Sequence, residues 1–268
     1  MTARRVRVLA SVAIAVAAVA VASVALAGCA GEAADAGADD ETPGGTLTVF
    51  AAASLRDTFT EIGQEVGLAH PGLDVRLSFA GSSDLVTQLA EGASADVVAT
   101  ADLATMDRLV AAGLVEEPTA FASNTLTVVV PPGNPGGVTS FADLARPDLD
   151  VVVCAPQVPC GSATERLEAA TGVTLRPASE ESSVTDVLTK VVTEQADAGV
   201  VYVTDAVGVG SDVEVVEVPE AADVVNVYPI AVLDDAAAPE LAAELVDLVT
   251  GARGRQLFAD AGFAPPPA

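Results

Sequence analysis

The sequence is poor in the residues that most enzyme sites require. It contains one histidine and three cysteines, whereas a metal site of the usual N/S type needs three or four such ligands. His70 lies in an Ala-His-Pro-Gly turn signature, so we interpret it as a surface turn residue. The chain also lacks a Gly-x-Ser-x-Gly nucleophile elbow and a phosphate loop ending in Gly-Lys-Ser/Thr. Hydrolase and nucleotide sites of these kinds are excluded, while an enzyme that uses only carboxylates stays open.

Basic residues are also scarce. The chain has 12 lysines and arginines against 38 aspartates and glutamates, a net charge of -26. This balance argues against nucleic acid as a partner. A negative surface also repels anions at long range, but exposed charges are screened beyond about 8 Å at physiological ionic strength. Local hydrogen-bond donors are therefore still able to bind an anion.

The first 28 residues have the features of an export signal. Arg4, Arg5 and Arg7 precede an apolar run over residues 8–27, and Leu-Ala-Gly is followed directly by Cys29. This pattern predicts a lipoprotein signal peptide with Cys29 as the lipidated residue. A membrane-spanning anchor is the alternative, because the run is nearly long enough to cross a bilayer. The sequence does not distinguish the general export route from the twin-arginine route.

The segment 29–45 is rich in Gly, Ala, Asp, Glu, Thr and Pro, which predicts a disordered tether. Without residues 1–28 the net charge becomes -29. The remaining chain of about 220 residues suffices for one large domain or two smaller ones. Cys154 and Cys160 are six residues apart in this exported part, so a disulfide is expected, with two buried free thiols as the alternative.

Short β-branched runs alternate with helical segments from residue 46 onward, which predicts an α/β fold with parallel layers. Strands are predicted at 46–50, 74–79, 96–100, 126–130, 151–153, 173–176, 199–203, 213–218 and 227–232. Helices are predicted at 55–66, 84–91, 106–112, 141–144, 162–170, 184–194, 239–249 and 254–261.

Small polar residues follow several predicted strands. Ser54, Ser82, Ser162 and Ser183 each lie where a helix is expected to begin. A helix start offers unpaired N–H groups and the positive end of the helix dipole, so several starts converging on one cleft would bind an anion without lysine or arginine. Each serine taken singly is also explained as an ordinary N-cap. Tyr202 fits equally well as a core aromatic residue or as a hydroxyl that reaches a cleft.

Taken together, these segments resemble the molybdate-binding proteins of ABC transporters, which have the type II periplasmic binding protein fold. The resemblance runs in order through residues 46–264. It is carried by Leu47-Thr-Val-Phe-Ala-Ala-Ala-Ser54-Leu, Phe79-Ala-Gly-Ser-Ser-Asp-Leu85, Gly92-Ala-Ser-Ala-Asp96-Val97, Ser123-Asn-Thr-Leu-Thr-Val-Val-Val130, Val158-Pro-Cys-Gly161, Gly199-Val-Val-Tyr-Val-Thr-Asp-Ala206 and Gly254-Arg-Gln-Leu-Phe258.

The resemblance implies a site that holds the oxyanion through hydroxyls and backbone amides. By motif, Ser54, Ser82 and Tyr202 supply hydroxyls, and Cys160 and Val184 supply amides. Ser83 is expected as a further contact. The metal reaches Ser54, Ser82 and Tyr202 only as the molybdate oxyanion, so no residue is a direct metal ligand, no cofactor is expected, and the protein is not an enzyme.

The implied fold has two lobes with the ligand cleft between them. Lobe I is expected at 46–125 and 226–268, and lobe II at 126–225. The implied partners are molybdate or tungstate, an ABC permease and, through a lipid anchor alone, the outer face of the cytoplasmic membrane; the chain is expected to be a monomer. Three alternatives remain: a binding protein for sulfate or another anion, a carboxylate-dependent surface hydrolase, and a structural lipoprotein without a ligand.

Overall fold

The computed structural model describes residues 45–267. The predicted signal peptide, the lipidation of Cys29 and the tether, apart from Gly45, fall outside these residues. The described strands are β1 (Thr46–Ala52), β2 (Asp74–Ala80), β3 (Val97–Ala99), β4 (Thr119–Asn124), β5 (Leu126–Val130), β6 (Val151–Cys154), β7 (Ser179–Glu181), β8 (Ala198–Tyr202), β9 (Glu214–Val216) and β10 (Asn226–Val232).

The helices lie on both sides of the strands. They are α1 (Arg56–Ala69), α2 (Ser82–Ala90), α3 (Leu103–Ala112), α4 (Pro159–Thr171), α5 (Val184–Val192), α6 (Val203–Val209), α7 (Pro239–Thr250) and α8 (Ala252–Asp260). Short 3-10 helices cover Ala53–Leu55, Phe141–Ala145, Gly210–Asp212 and Pro219–Asp223. None of the helices between residues 45 and 267 combines the length and apolarity that crossing a bilayer requires.

The strands form two five-stranded sheets, which belong to the two lobes of an α/β fold. The first sheet has the order β2-β1-β3-β10-β4 and the second the order β7-β6-β8-β5-β9. The chain passes from the first sheet to the second at Thr125 and returns between β9 and β10. The α/β class is confirmed, but both sheets are mixed rather than parallel: β10 runs antiparallel to β3 and β4, and β5 runs antiparallel to β8 and β9. The strands that flank the two passages are therefore antiparallel within each sheet: β4 to β10 in the first sheet and β5 to β9 in the second.

Most of the few aromatic residues form one cluster behind the ends of β4 and β10. Phe121 packs against Phe258 with ring centroids 4.8 Å apart, and Tyr228 packs against Phe263 at 5.4 Å. Phe59 of α1 contacts the same group. Edge-on contacts between buried rings add to the free energy of area burial. The cluster packs α1 and α8 against β4 and β10.

Some predicted elements differ from the structure. The strand predicted at 173–176 is wrong, since this segment is irregular and the strand begins at Ser179. The strand β4 and the helix α6 were not predicted, because neither carries a long apolar pattern. The predicted end of α3 is confirmed: Gly113 has φ 68°, the left-handed conformation that glycine adopts without strain.

Candidate functional site

Five of the six residues predicted to bind the anion line one cavity between the two sheets. The cavity has an empty volume of about 210 Å³ including its open mouth. The predicted residues are Ser54 and Ser82 from the side of the first sheet and Cys160, Val184 and Tyr202 from the side of the second. The other lining residues are Ala52, Ala53, Gly81, Ala101, Val158, Pro159 and Ser183.

Helix starts converge on this cavity, as the sequence predicted, but the serines sit differently. Ser54 lies inside a 3-10 turn, and α1 begins after Leu55 without a side-chain cap. Ser82 is the first residue of α2, whose N-cap is Gly81. The N-cap interpretation is therefore wrong for both serines. It is confirmed for Ser183, whose hydroxyl accepts a hydrogen bond from the Asp186 N–H at 3.2 Å.

The Ser82 hydroxyl is held from behind by a backbone group. Ser82 is 2% exposed, and its Oγ accepts a hydrogen bond from the Ala101 N–H at 3.0 Å. A serine hydroxyl has one proton to donate. With its oxygen accepting from Ala101, the hydroxyl has its proton available for a group in the cavity.

The Tyr202 hydroxyl, like that of Ser82, accepts a hydrogen bond from an N–H group. Tyr202 is 1% exposed, and its Oη accepts from Asn226 Nδ2 at 2.7 Å. Burial, reinforced by the nearby Tyr228 phenol, raises the pKa of Tyr202 well above the ordinary value of 10.0. The phenol therefore stays protonated and remains a donor at any physiological pH. The sequence alone gave no signal for Asn226, which is 24 residues away along the chain.

Ser54 is the more adaptable hydroxyl. Its Oγ lies 3.1 Å from Tyr228 Oη, and either atom can be the donor. Burial raises the pKa of the Tyr228 phenol far above its ordinary value, so this residue also keeps its proton. Tyr228 can thus donate to Ser54 while Ser54 donates into the cavity.

The remaining predicted donors are backbone amides at helix starts. Cys160 is the second residue of α4 and Val184 is the first residue of α5. The first four N–H groups of a helix have no acceptor within the helix. Cys160 is also joined to Cys154 by a disulfide, with Cα atoms 5.6 Å apart. The turn that presents the Cys160 amide is therefore covalently closed.

The two sides of the cleft approach each other closely near the cavity. A Cβ atom at Gly81 would lie 2.0 Å from the carbonyl oxygen of Ser182, so only glycine fits there. Ser83, predicted as a further contact, is not among the lining residues; its hydroxyl donates to the Gln157 carbonyl on the opposite side. Asn124 donates to Thr204 across the same cleft at 2.7 Å.

Among residues 45–267, no charged side chain lines the cavity. Asp205 is a half-buried acid that contacts a lining residue: its carboxylate accepts the Tyr202 N–H at 3.0 Å. Burial raises the pKa of Asp205 to about 7 from the ordinary 3.8. Elsewhere, His70 is the C-cap residue of α1, and its Nε2 lies 2.9 Å from a Glu244 oxygen. Residues 45–267 contain no group of three or more His, Cys, Asp or Glu suited to a metal ion. The cavity thus offers hydroxyl and amide donors to a ligand that accepts hydrogen bonds.

Comparison with known proteins places the chain in a family. The profile of the bacterial extracellular solute-binding proteins matches residues 47–264. The molybdate-binding protein ModA of Mycobacterium tuberculosis (strain ATCC 25618 / H37Rv) is 56% identical over 222 residues, which are 82% of this chain and 85% of that protein.

Solved structures show the same fold at lower identity. The sulfate-binding protein SubI of M. tuberculosis H37Rv matches 82% of this chain and 86% of its own, with a TM-score of 0.70 and 21% identity. The Azotobacter vinelandii periplasmic molybdate-binding protein matches 82% and 100%, with a TM-score of 0.66 and 19% identity. The chain belongs to the bacterial extracellular solute-binding proteins and, within them, to the family of the molybdate-binding protein ModA.

Proposed function

We propose that this protein captures molybdate or tungstate outside the cytoplasm and delivers it to an ABC importer, without catalysing a reaction. One observation carries the proposal: the five predicted donors meet in one cavity between the lobes, whose lining among residues 45–267 contains hydroxyls and helix-start amides and no charged side chain. In this assignment Ser54, Ser82 and Tyr202 donate through hydroxyls, and Cys160 and Val184 donate through amides. The 56% identity to the M. tuberculosis molybdate-binding protein supports the same ligand.

The chemistry of the cavity favours a fully deprotonated tetrahedral oxyanion. Such an anion has only hydrogen-bond acceptors, and the cavity offers donors to it. Hydrogen phosphate carries a proton that finds no acceptor there, and a buried unsatisfied polar group costs about 1–3 kcal/mol. Selection against protonated anions therefore follows from the donor set.

Sulfate is the second candidate, because it too has no proton at neutral pH and the sulfate-binding protein SubI shares the fold. Sulfate has shorter bonds than molybdate, so the size of the closed cavity must separate the two. A carboxylate-dependent hydrolase would require aspartate or glutamate at the ligand; Asp84 and Asp186 line a neighbouring pocket, but the described lining of the anion cavity includes neither residue type. Hydrolysis is therefore disfavoured by the composition of the site.

The rest of the assignment concerns the whole chain. We place lobe I at 46–125 and 226–268 and lobe II at 126–225, since the chain changes sheets at Thr125 and just before β10. Residues 1–28 act as an export signal, and Cys29 carries a lipid that anchors the monomeric protein to the outer face of the cytoplasmic membrane. An ABC permease is the partner that receives the anion.

The test is thermal unfolding of residues 30–268 with and without molybdate, tungstate, sulfate and phosphate at equal ionic strength. Ligand at a thousand times its Kd stabilises by about 4 kcal/mol, which raises Tm by roughly 8–16 °C at 2–4 °C per kcal/mol. We expect this rise with molybdate and tungstate alone. A rise with sulfate alone would identify sulfate as the ligand. The absence of a rise with any anion would contradict the capture function.

Tyr202→Phe provides the control for the site. It removes one hydroxyl and keeps the ring in the aromatic packing with Tyr228, whose centroid is 5.9 Å away. We expect the molybdate-dependent rise in Tm to shrink in this variant. A rise as large as in the wild type would show that molybdate does not bind at Tyr202.

A further inference from the structure

Asn226 is a buried polar side chain that the proposed donor set does not include. It is the first residue of β10 and is 1% exposed. Its Nδ2 lies 2.7 Å from Tyr202 Oη, 3.0 Å from the Ala101 carbonyl oxygen and 3.4 Å from the Pro159 carbonyl oxygen. The residue therefore meets both sides of the cleft directly behind the cavity.

The orientation of the Asn226 amide is fixed by its neighbours. Its Oδ1 accepts a hydrogen bond from Arg166 Nη2, and Arg166 Nη1 donates to the Val225 carbonyl at 3.3 Å. Flipping the amide would place its oxygen against two carbonyl oxygens and its NH2 group against the guanidinium. Arginine has only donors. Arg166 therefore holds Nδ2 towards Tyr202.

This orientation determines what the Tyr202 hydroxyl can do. The phenol oxygen accepts from Asn226, so its single proton is directed to another acceptor. The Ala101 N–H acts on Ser82 in the same way at 3.0 Å. Two hydroxyls of the cavity thus accept from an N–H group, which leaves the proton of each hydroxyl for another acceptor.

We propose that Asn226, oriented by Arg166, is a positioning residue that fixes Tyr202 as a donor towards the cavity and so selects fully deprotonated oxyanions over protonated ones. The inference rests on the proposed function, because it needs an oxyanion at Tyr202. Hydrogen arsenate and hydrogen phosphate need an acceptor for their proton, whereas molybdate and sulfate do not. Asn226 therefore affects discrimination by the protonation state of the ligand and does not affect discrimination by its size.

The main test is Asn226→Asp, measured by titration calorimetry at pH 8 with molybdate, sulfate and arsenate. The new carboxylate keeps the Arg166 contact and accepts the Tyr202 proton, so the phenol turns a lone pair towards the cavity. It also places an oxygen near the Ala101 and Pro159 carbonyls, so the Tm of the ligand-free variant is measured beside its affinity. We expect the molybdate affinity to fall about 10- to 100-fold, the loss of one hydrogen bond to a charged group. The molybdate-to-arsenate affinity ratio should fall with it, while the molybdate-to-sulfate ratio stays at its wild-type value.

The three anions separate positioning from charge. All are dianions at pH 8, so added negative charge alone weakens them by one common factor. A common loss across the three would overturn the proposal.

A second variant avoids the buried position: Arg166→Gln at an exposed site, compared with Arg176→Gln, another exposed arginine with the same change of charge. We expect the molybdate-to-arsenate ratio to fall about 3- to 10-fold in Arg166→Gln alone, on the scale of one ordinary hydrogen bond. Equal ratios in the two arginine variants would overturn the proposal.

A double-mutant cycle with Tyr202→Phe distinguishes this inference from the proposed function. Interacting residues are not additive, so Asn226→Asp should change the ratio no further once the hydroxyl is gone. If Tyr202→Phe binds molybdate like the wild type, the site assignment fails and the inference fails with it. If Tyr202→Phe weakens molybdate but Asn226→Asp leaves the ratio unchanged, the positioning inference alone is overturned.

Discussion

Ser82→Ala is the substitution whose consequences the structure defines most fully. The Ser82 side chain is 2% exposed at the start of α2, and its oxygen accepts from the Ala101 N–H at 3.0 Å. Removing the hydroxyl therefore has two effects. The anion loses a donor, and the Ala101 N–H loses its acceptor.

The two losses have separate magnitudes. A hydrogen bond to a charged group contributes about 1.5–3 kcal/mol, so molybdate affinity should fall roughly 10- to 150-fold. An unsatisfied buried N–H costs about 1–3 kcal/mol of folding free energy, which lowers the Tm of the ligand-free protein by roughly 2–12 °C. Water that enters the cleft and accepts from Ala101 would bring the second loss to the low end of its range.

The two losses are measured by titration calorimetry and by scanning calorimetry without ligand. Ser54→Ala is the informative comparison, because its hydroxyl contacts the rotatable Tyr228 phenol rather than a fixed backbone amide; we expect lower affinity with a smaller fall in Tm than in Ser82→Ala. Ser162→Ala, on α4 and not among the cavity-lining residues, controls for the substitution itself. Wild-type affinity in Ser82→Ala would refute the site, and an unchanged Tm would refute the role given to the Ala101 contact.

Three further predictions concern pH, the disulfide and salt. Burial raises the pKa of Asp205 to about 7, so its protonation stabilises the fold fully below about pH 4 and this contribution is lost as pH rises through 7. Asp205→Asn, whose amide oxygen still accepts the Tyr202 N–H, should lose less Tm than the wild type between pH 5 and 8; equal losses would contradict this. Replacing both Cys154 and Cys160 by alanine opens a short loop and should cost about 2–3 kcal/mol of stability and weaken molybdate several-fold, measured by the same calorimetry, and wild-type affinity would show that the turn holds its amide without the bond. Because residues 29–268 carry a net charge of -29, stopped-flow association with molybdate should become faster as salt screens repulsion; a slower rate would indicate a positive local field at the cleft.

The sequence was sufficient for the elements with a strong local signal. The apolar run of β5, the glycine after α3 and the Ser183 cap are all found where their local chemistry predicts them. The segment 173–176 looked like a strand because it alternates apolar and polar residues, but the ladder beside β6 is formed by Ser179–Glu181 instead. Strand pairing depends on distant partners, and a short polar strand carries no local pattern.

The candidate site shows the same division. Its five predicted residues came from motifs, and all of them line one cavity. The groups that orient them came from the fold alone: Asn226 and Arg166 lie 60 residues apart, and Ala101 and Ser82 lie 19 apart. A hydroxyl pattern identifies candidate donors, but the direction of each proton depends on the group behind the oxygen, which only the three-dimensional contacts supply.

Contacts across the cleft affect how much binding energy the anion must spend on closure. The donors divide between the two sides, so full affinity requires the lobes to be together. Several protein contacts already join the sides near the cavity, among them Ser83 to the Gln157 carbonyl, Asn124 to Thr204, and Asn226 to Tyr202. We expect each to raise the population of the closed form before the anion arrives, which lowers the apparent Kd because the apparent Kd is inversely proportional to that population. We therefore expect Ser83 to contribute to affinity through closure, since its hydroxyl donates to Gln157 of the opposing lobe and does not line the ligand cavity.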